Sequence, residues 1–193
     1  MKLRSTVVLV SIILVAILGE SGTFAQNVLV FDDLGLADDS LVTNQYPGVT
    51  FSATPGGSTR IVTATSPIFP GDPQGLYNDD PGSLGYGFTE PIIVDFSIAV
   101  SSAGAFVDFG GFGDGIRVDA FDATGGSGAL LGSDSTVEES FIGVSAPGIR
   151  SVVFSQNGPD IATYLIDHVT YVPEPSSLVF LGLGGLICFG RRG

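Results

Sequence analysis

Acids dominate the side chains able to do chemistry in this chain. Asp32 and Asp33 stand together near the front, Asn78-Asp79-Asp80 sits between glycines and prolines, and Asp167 immediately precedes the single histidine, His168. Oxygen-rich groups of this kind suit calcium, which takes carboxylate and loop-carbonyl ligands. Asp32, Asp33 and Asp167 would share one ion if the first and last strands lie side by side, and Asp79 with Asp80 form a second candidate. The plainer reading of each is an Asp that caps a turn or strand end through local hydrogen bonds. Gly110-Gly111-Phe112-Gly113-Asp114-Gly115 invites comparison with a calcium-binding glycine repeat, but the acid falls one position early and the unit occurs once.

Nucleophilic machinery is scarce. Between residues 26 and 172 there is no lysine and no cysteine, and neighbours on a strand, as Asp167 and His168 are expected to be, point to opposite faces. The remaining enzymatic option is a glycoside hydrolase working through two carboxylates, but no spacing singles out a pair. Sugar binding would use aromatic faces on loops, for which Tyr46, Tyr77, Tyr86, Phe88 and Phe112 are the candidates. The absence of tryptophan reduces that case.

The same stretch holds 15 Asp and 3 Glu against Arg60, Arg117 and Arg150, a formal charge of -15. So negative a field disfavours nucleic acid and anionic lipid as partners, because phosphate binding requires basic groups to displace counterions. The charge also serves simply to keep a protein soluble. Cys188 is the sole cysteine, so packing, with or without a metal ion, must stabilise the body without a disulfide.

The elements that must position these residues are short. Strand-favouring runs recur at Asn27–Phe31, Gly48–Ala53, Arg60–Thr65, Pro91–Ile98, Ala103–Phe109, Gly115–Phe121, Ser135–Val144, Ile149–Ser155 and Ile161–Tyr171. Turn chemistry separates them, as in Ala146-Pro147-Gly148 and Asn157-Gly158-Pro159, and helical periodicity is lacking. The pattern predicts an all-β domain, a jelly-roll-like antiparallel β-sandwich. Ser52 to Tyr86 is read as a long Gly- and Pro-rich loop, apart from the run at Arg60–Thr65. No internal repeat or second domain boundary is visible.

Both ends read as addresses. Lys2 and Arg4, an apolar run from Val7 to Leu18 and the triplet Thr23-Phe24-Ala25 have the order of a secretory signal with a cut after Ala25. At the other end Pro173-Glu174-Pro175 is followed by an apolar stretch, Leu178 to Phe189, and by Arg191 and Arg192. As a helix that stretch reaches only about 18 Å, short of the hydrocarbon core. The division is therefore a signal at 1–25, a β-sandwich at 26–172 and a sorting segment at 173–193.

The tail resembles that of the PEP-CTERM proteins of Gram-negative bacteria, in which a Pro-Glu-Pro motif, a short hydrophobic helix and a terminal Arg cluster occur in this order. That resemblance implies recognition by an exosortase, a membrane transpeptidase that cuts near the motif and transfers the body to the cell surface or exopolysaccharide matrix. The N-terminal signal calls for the Sec translocon as an export partner, and the tail for transient membrane contact through the C-terminal helix. The body is similar to a domain that often precedes this tail, through Gly48-Val49-Thr50-Phe51-Ser52, Val118-Asp119-Ala120-Phe121-Asp122, Phe141-Ile142-Gly143-Val144-Ser145 and Ile166-Asp167-His168-Val169. The family pattern ends in Ile-Asp-Asp-Val, and His168 replaces its second Asp. The expectation is an exported surface or matrix protein, structural or adhesive and glycan-binding, with calcium as the cofactor to test and a secreted hydrolase as the alternative.

Overall fold

A computed structural model describes residues 25–37, 40–53, 58–63, 74–79, 91–110, 115–158 and 163–174. The predicted leader, Asp80, Tyr86, Phe88, Phe112, Pro175, the apolar tail, Arg191 and Arg192 lie outside them. Nine strands occur among the described residues: β1 (Asn27–Leu29), β2 (Val49–Ala53), β3 (Ser58–Thr63), β4 (Gln74–Asp79), β5 (Ile92–Gly110), β6 (Ile116–Ala123), β7 (Ser127–Thr136), β8 (Ser140–Gln156) and β9 (Thr163–Pro173). A short 3₁₀ helix, Phe31–Leu34, follows β1.

All pairings are antiparallel. The strands run in the order β3-β4-β9-β5-β8-β6-β7, with β1 added to β9 and β2 to β5. Two strands are long enough to serve two layers. The first half of β5 pairs with β2 and with the second half of β8, and its second half pairs with β9 and with the first half of β8. Register shifts fall between Asp95, Val100 and Ser102, where the strand changes layer. The architecture is thus antiparallel and sandwich-like, as expected from the sequence, with the layers joined through shared bent strands.

Contacts across the layers identify the core between them. The Tyr164 hydroxyl on β9 donates to the Phe154 carbonyl on β8 at 2.9 Å, and Phe96 on β5 packs on Tyr171 of β9 with centroids 5.1 Å apart. Phe31, Phe51, Phe96, Phe154, Tyr164 and Ile166 are among the largest fully buried side chains. Each such burial contributes roughly 1.5–3 kcal/mol, which replaces the missing disulfide as the source of cohesion.

Four sequence expectations change. The runs at Pro91–Ile98 and Ala103–Phe109 form one strand, because Val100 to Ser102 bends without leaving the ladder. Ser135–Val144 and Ile149–Ser155 fall largely within β8, in which Pro147 and Gly148 make a kink rather than a turn. β4 lies in the stretch read as loop. β7, rich in Gly, Ser and Asp and mostly exposed, lacks the apolar alternation that marks a half-buried strand.

Candidate functional site

The outer face of β8, β5 and β9 concentrates the chemistry. In the β5–β8 ladder Gly104 lies opposite Gly143 and Phe106 opposite Phe141. Alternation along each strand puts these four residues on one face. The Phe141 ring lies over the glycine pair: a Cβ on Gly104 would meet its Cζ at 2.7 Å, and one on Gly143 would meet its Cε1 at 3.1 Å. Glycine is required here on two counts, because the backbones of β5 and β8 approach closely, with the Ile142 carbonyl oxygen the first atom a Cβ on Gly104 would meet, and because the aromatic ring lies on the sheet. Phe141 remains 44% exposed and meets Phe106 edge to face, with centroids 5.5 Å apart at 69°.

Phe106 also lies opposite Asp167 on β9, beside a register shift between Gly104 and Phe106. His168 takes φ 48° there, the sole non-glycine residue with positive φ among the described residues. This bulge overturns the expectation that Asp167 and His168 point apart. The His168 Nδ1 and Asp167 Oδ2 are 2.5 Å apart, and the imidazole sits edge-on to Phe106 at 6.2 Å. The contact pairs a ring nitrogen with a carboxylate oxygen and fixes the imidazole against the sheet. Asp167 is fully buried and His168 is 17% exposed.

A shallow groove of about 210 Å³ adjoins this row, lined by Gln26, Ser102, Ala103, Phe141, Gly143, Val144, Ser145, Thr170 and Val172. It offers one aromatic face and several hydroxyl or amide groups. Glu139, in the turn before β8, has its carboxyl pushed above the usual range first by the charge of Asp108, then by burial and by a hydrogen bond to Asp108. A smaller groove of about 190 Å³ is lined by Arg117, Ser133, Asp134, Ser135 and Asn157. There the guanidinium is already engaged, with Nε 2.7 Å from Asp119 and the far nitrogen donating to Ser133 at 3.1 Å.

The other expected site residues are placed as follows. β1 does pair with β9, as the calcium reading required, but the pairing ends at Leu29 opposite Val169. The chain then turns into the 3₁₀ helix, leaving Asp32 and Asp33 exposed while Asp167 is buried beside His168. Among the described residues no three His, Cys, Asp or Glu side chains group as metal ligands. Asp79 ends β4, and its companion Asp80 lies outside the described residues.

Tyr46 and Tyr77 are turned inward rather than presented. Tyr46 packs on Phe31 and Phe51, with its hydroxyl donating to the Val30 carbonyl, and Tyr77 is 8% exposed. Phe106 and Phe141 were missed by the sequence reading. The signal was there: Gly104-x-Phe106 and Phe141-x-Gly143 place a glycine and an aromatic on the same face of adjacent strands.

Pro173 and Glu174 belong structurally to the body. Pro173 is the last residue of β9, opposite Val100. The Glu174 N–H donates to the Ala99 carbonyl at 3.0 Å, and its Oε1 accepts the Gly148 N–H at 2.5 Å. Gly148 holds φ 83°, a conformation open to glycine, so the kink in β8 presents its N–H to this carboxylate.

Residues 172–192 match the model of the PEP-CTERM protein-sorting motif. The chain carries a PEP-CTERM sorting signal. This motif marks exported bacterial proteins handled by an exosortase and destined for the surface or exterior. No curated protein matches the chain significantly. Among solved structures the chain is similar to the K2 cleaved adhesin domain of Lys-gingipain, at 11% identity over 77% of this chain and 99% of that one, with a TM-score of 0.49. It is also similar to the arabinose-bound MgGH51 α-L-arabinofuranosidase, at 15% identity over 80% of this chain and 27% of that one, TM-score 0.44. A third is the family 32 carbohydrate-binding module of C. perfringens NanJ in complex with galactose, at 14% identity over 64% of this chain and 93% of that one, TM-score 0.38. The PEP-CTERM match covers the tail alone, so the body's role rests on its own geometry.

Proposed function

We propose that the body is a non-enzymatic surface or matrix module that holds extracellular saccharide on the outer face of β8, β5 and β9. The observation that carries this reading is the exposed Phe141 ring lying on a glycine floor beside a shallow polar groove. Sugar rings present an apolar C–H face and a rim of hydroxyls. An aromatic ring takes the first, and Ser102, Ser145, Thr170 and Gln26 are suited to the second. An open groove fits an internal stretch of a long polymer better than a small molecule that must be enclosed. Retention in exopolysaccharide after sorting follows from such binding.

A carboxylate-dependent hydrolase is less well supported. Retaining and inverting enzymes hold their two carboxyls about 5–9.5 Å apart, whereas Asp108 and Glu139 are joined by a hydrogen bond. Calcium stays an arm of the test.

The test is a glycan array probed with residues 26–174, with calcium and with chelator, alongside Phe141→Ala. Binding to extended polysaccharides that Phe141→Ala weakens at least about tenfold, or roughly 1.4 kcal/mol, supports the site. Binding that Phe141→Ala leaves intact moves the saccharide site elsewhere. Absence of binding by the folded body removes the glycan reading and leaves a structural matrix role.

A further inference from the structure

We infer that the end of the sandwich surrounding Glu174 is a membrane-facing surface, which rests on the lipid headgroups while the sorting tail is still attached. The inference depends on the tail and not on the saccharide reading.

Three observations converge. The first is the tether. Glu174 is fixed to the body by its N–H on Ala99 and its carboxylate on Gly148. Only Pro175, Ser176 and Ser177 separate it from the apolar run that begins at Leu178. Four residue steps span at most about 14 Å. β9, with 11 residues, is by itself about 36 Å long at roughly 3.3 Å per residue. When the run enters the bilayer, the end bearing Glu174 must therefore approach the headgroups, and the opposite end cannot.

The second observation is charge. The segments gathered at this end are residues 45–49, 96–102, 145–149 and 172–174, tied together by Ser97 N–H to the Gly48 carbonyl, by Val100 opposite both Ile149 and Pro173, and by Glu174 itself. Glu174 is the sole charged residue in these segments, and its carboxylate already accepts a hydrogen bond. The flanking charges are a pair of opposite sign, Arg150 on β8, whose Nε donates to the Phe96 carbonyl at 3.2 Å, and Asp95 on β5, whose carboxyl feels the Arg150 charge. In a body of formal charge -15 this is an acid-poor end. A strongly acidic surface is repelled from anionic headgroups over a Debye length of about 8 Å; this one is not.

The third is exposed apolar surface. Ile98 is 54% exposed at the tip of the β5 bend, beside exposed Pro47, Ser97 and Pro147. Small uncharged and apolar groups at a bend in the sheet can settle among headgroups without leaving a buried charge unpaired. The Glu174 carboxylate, a latch on Gly148, holds the start of the tether in addition to the backbone bond on Ala99, so losing it loosens the orientation of the body.

The experiment uses the chain from Gln26, the residue after the expected cut, through Gly193. With Cys188→Ser as background, a bimane probe is placed at Ile98→Cys or, at the opposite end in the turn between β7 and β8, at Val137→Cys, where the side chain is 68% exposed. The protein is reconstituted in phosphatidylcholine vesicles bearing a nitroxide on the headgroup. Quenching at position 98 several-fold stronger than at position 137 is expected, with Glu174→Ala narrowing the difference. Equal quenching at the two positions overturns the membrane-facing surface. A difference unchanged by Glu174→Ala overturns the latch as its cause. A second probe at Pro147→Cys, expected to report as position 98 does, covers the case in which Ile98→Cys misfolds.

Discussion

Two aromatic triads are built with nearly the same ring geometry and serve opposite purposes. Phe31, Tyr46 and Phe51 meet edge to face at 5.6–6.2 Å, and Phe141, Phe106 and His168 do so at 5.5 and 6.2 Å. The first joins the 3₁₀ helix, the chain before β2 and β2 inside the core. The second lies across three strands on the outer face. Residue type does not separate them, since each holds two phenylalanines and one ring with a polar handle. Register does. Phe51 falls on the inward phase of its strand, whereas Phe106 and Phe141 fall on the outward phase, beside glycines that let a ring lie on the backbone. The handles differ too: the Tyr46 hydroxyl is spent on a backbone carbonyl, and His168 is held by the Asp167 side chain.

The contrast is broken most severely at its inner member. Phe51→Ala removes a ring that is 1% exposed and leaves a cavity between the layers, so it should cost about 3–5 kcal/mol, read from the shift in a urea midpoint. A loss below about 1 kcal/mol, the level of surface substitutions, would place this ring outside the core. Tyr46→Phe keeps the packing and deletes only the hydroxyl on Val30. It should cost about 1 kcal/mol, the net worth of one hydrogen bond, and should leave saccharide binding untouched. Phe141→Ala inverts the pattern: its stability cost is no more than about 1 kcal/mol, because the ring is half solvated and loses mainly one aromatic pair, yet it should abolish most binding. If Phe141→Ala destabilised the body as Phe51→Ala does, the outer triad would be structural.

The inner triad was the more legible of the two. The apolar run Gly48–Ala53 and the strand beginning at Asn27 were visible because β-favouring side chains bounded by turn residues identify a strand whatever it pairs with. What the sequence could not carry was phase. Tyr46 looked like a loop aromatic, since nothing local shows that the chain before β2 folds back onto Phe31. Phe106 and Phe141 each adjoin another apolar residue, Val107 and Ile142, and adjacent apolar residues do not say which one faces out. The Asp167–His168 pair was misjudged for a related reason: strict alternation holds only in an unbroken ladder, and the bulge at β9 depends on its pairing with β5. The tail was legible throughout as a motif, because its parts are contiguous. Its docking on Gly148 was not, because that partner lies 26 residues away.

The smallest expected effect lies at the border of the outer triad, where Glu139 faces Asp108. Repulsion by the Asp108 charge is the main reason its carboxyl is raised above the ordinary value, with burial and a hydrogen bond to Asp108 adding in the same direction. A raised carboxyl binds its proton more tightly in the folded than in the unfolded chain, so its contribution to stability is present at low pH. That contribution is lost as pH rises from the ordinary Glu value through the higher folded one. Glu139→Gln should therefore leave stability unchanged in acid and raise it near neutrality, by a few tenths of a kcal/mol because an exposed pair is screened by solvent. The gain should shrink further in high salt. Urea midpoints for both proteins at acid and neutral pH, at low and high ionic strength, measure this directly. A larger gain in acid than at neutral pH would mean that the two carboxyls do not repel one another, and that this rim of the outer face is held by other contacts.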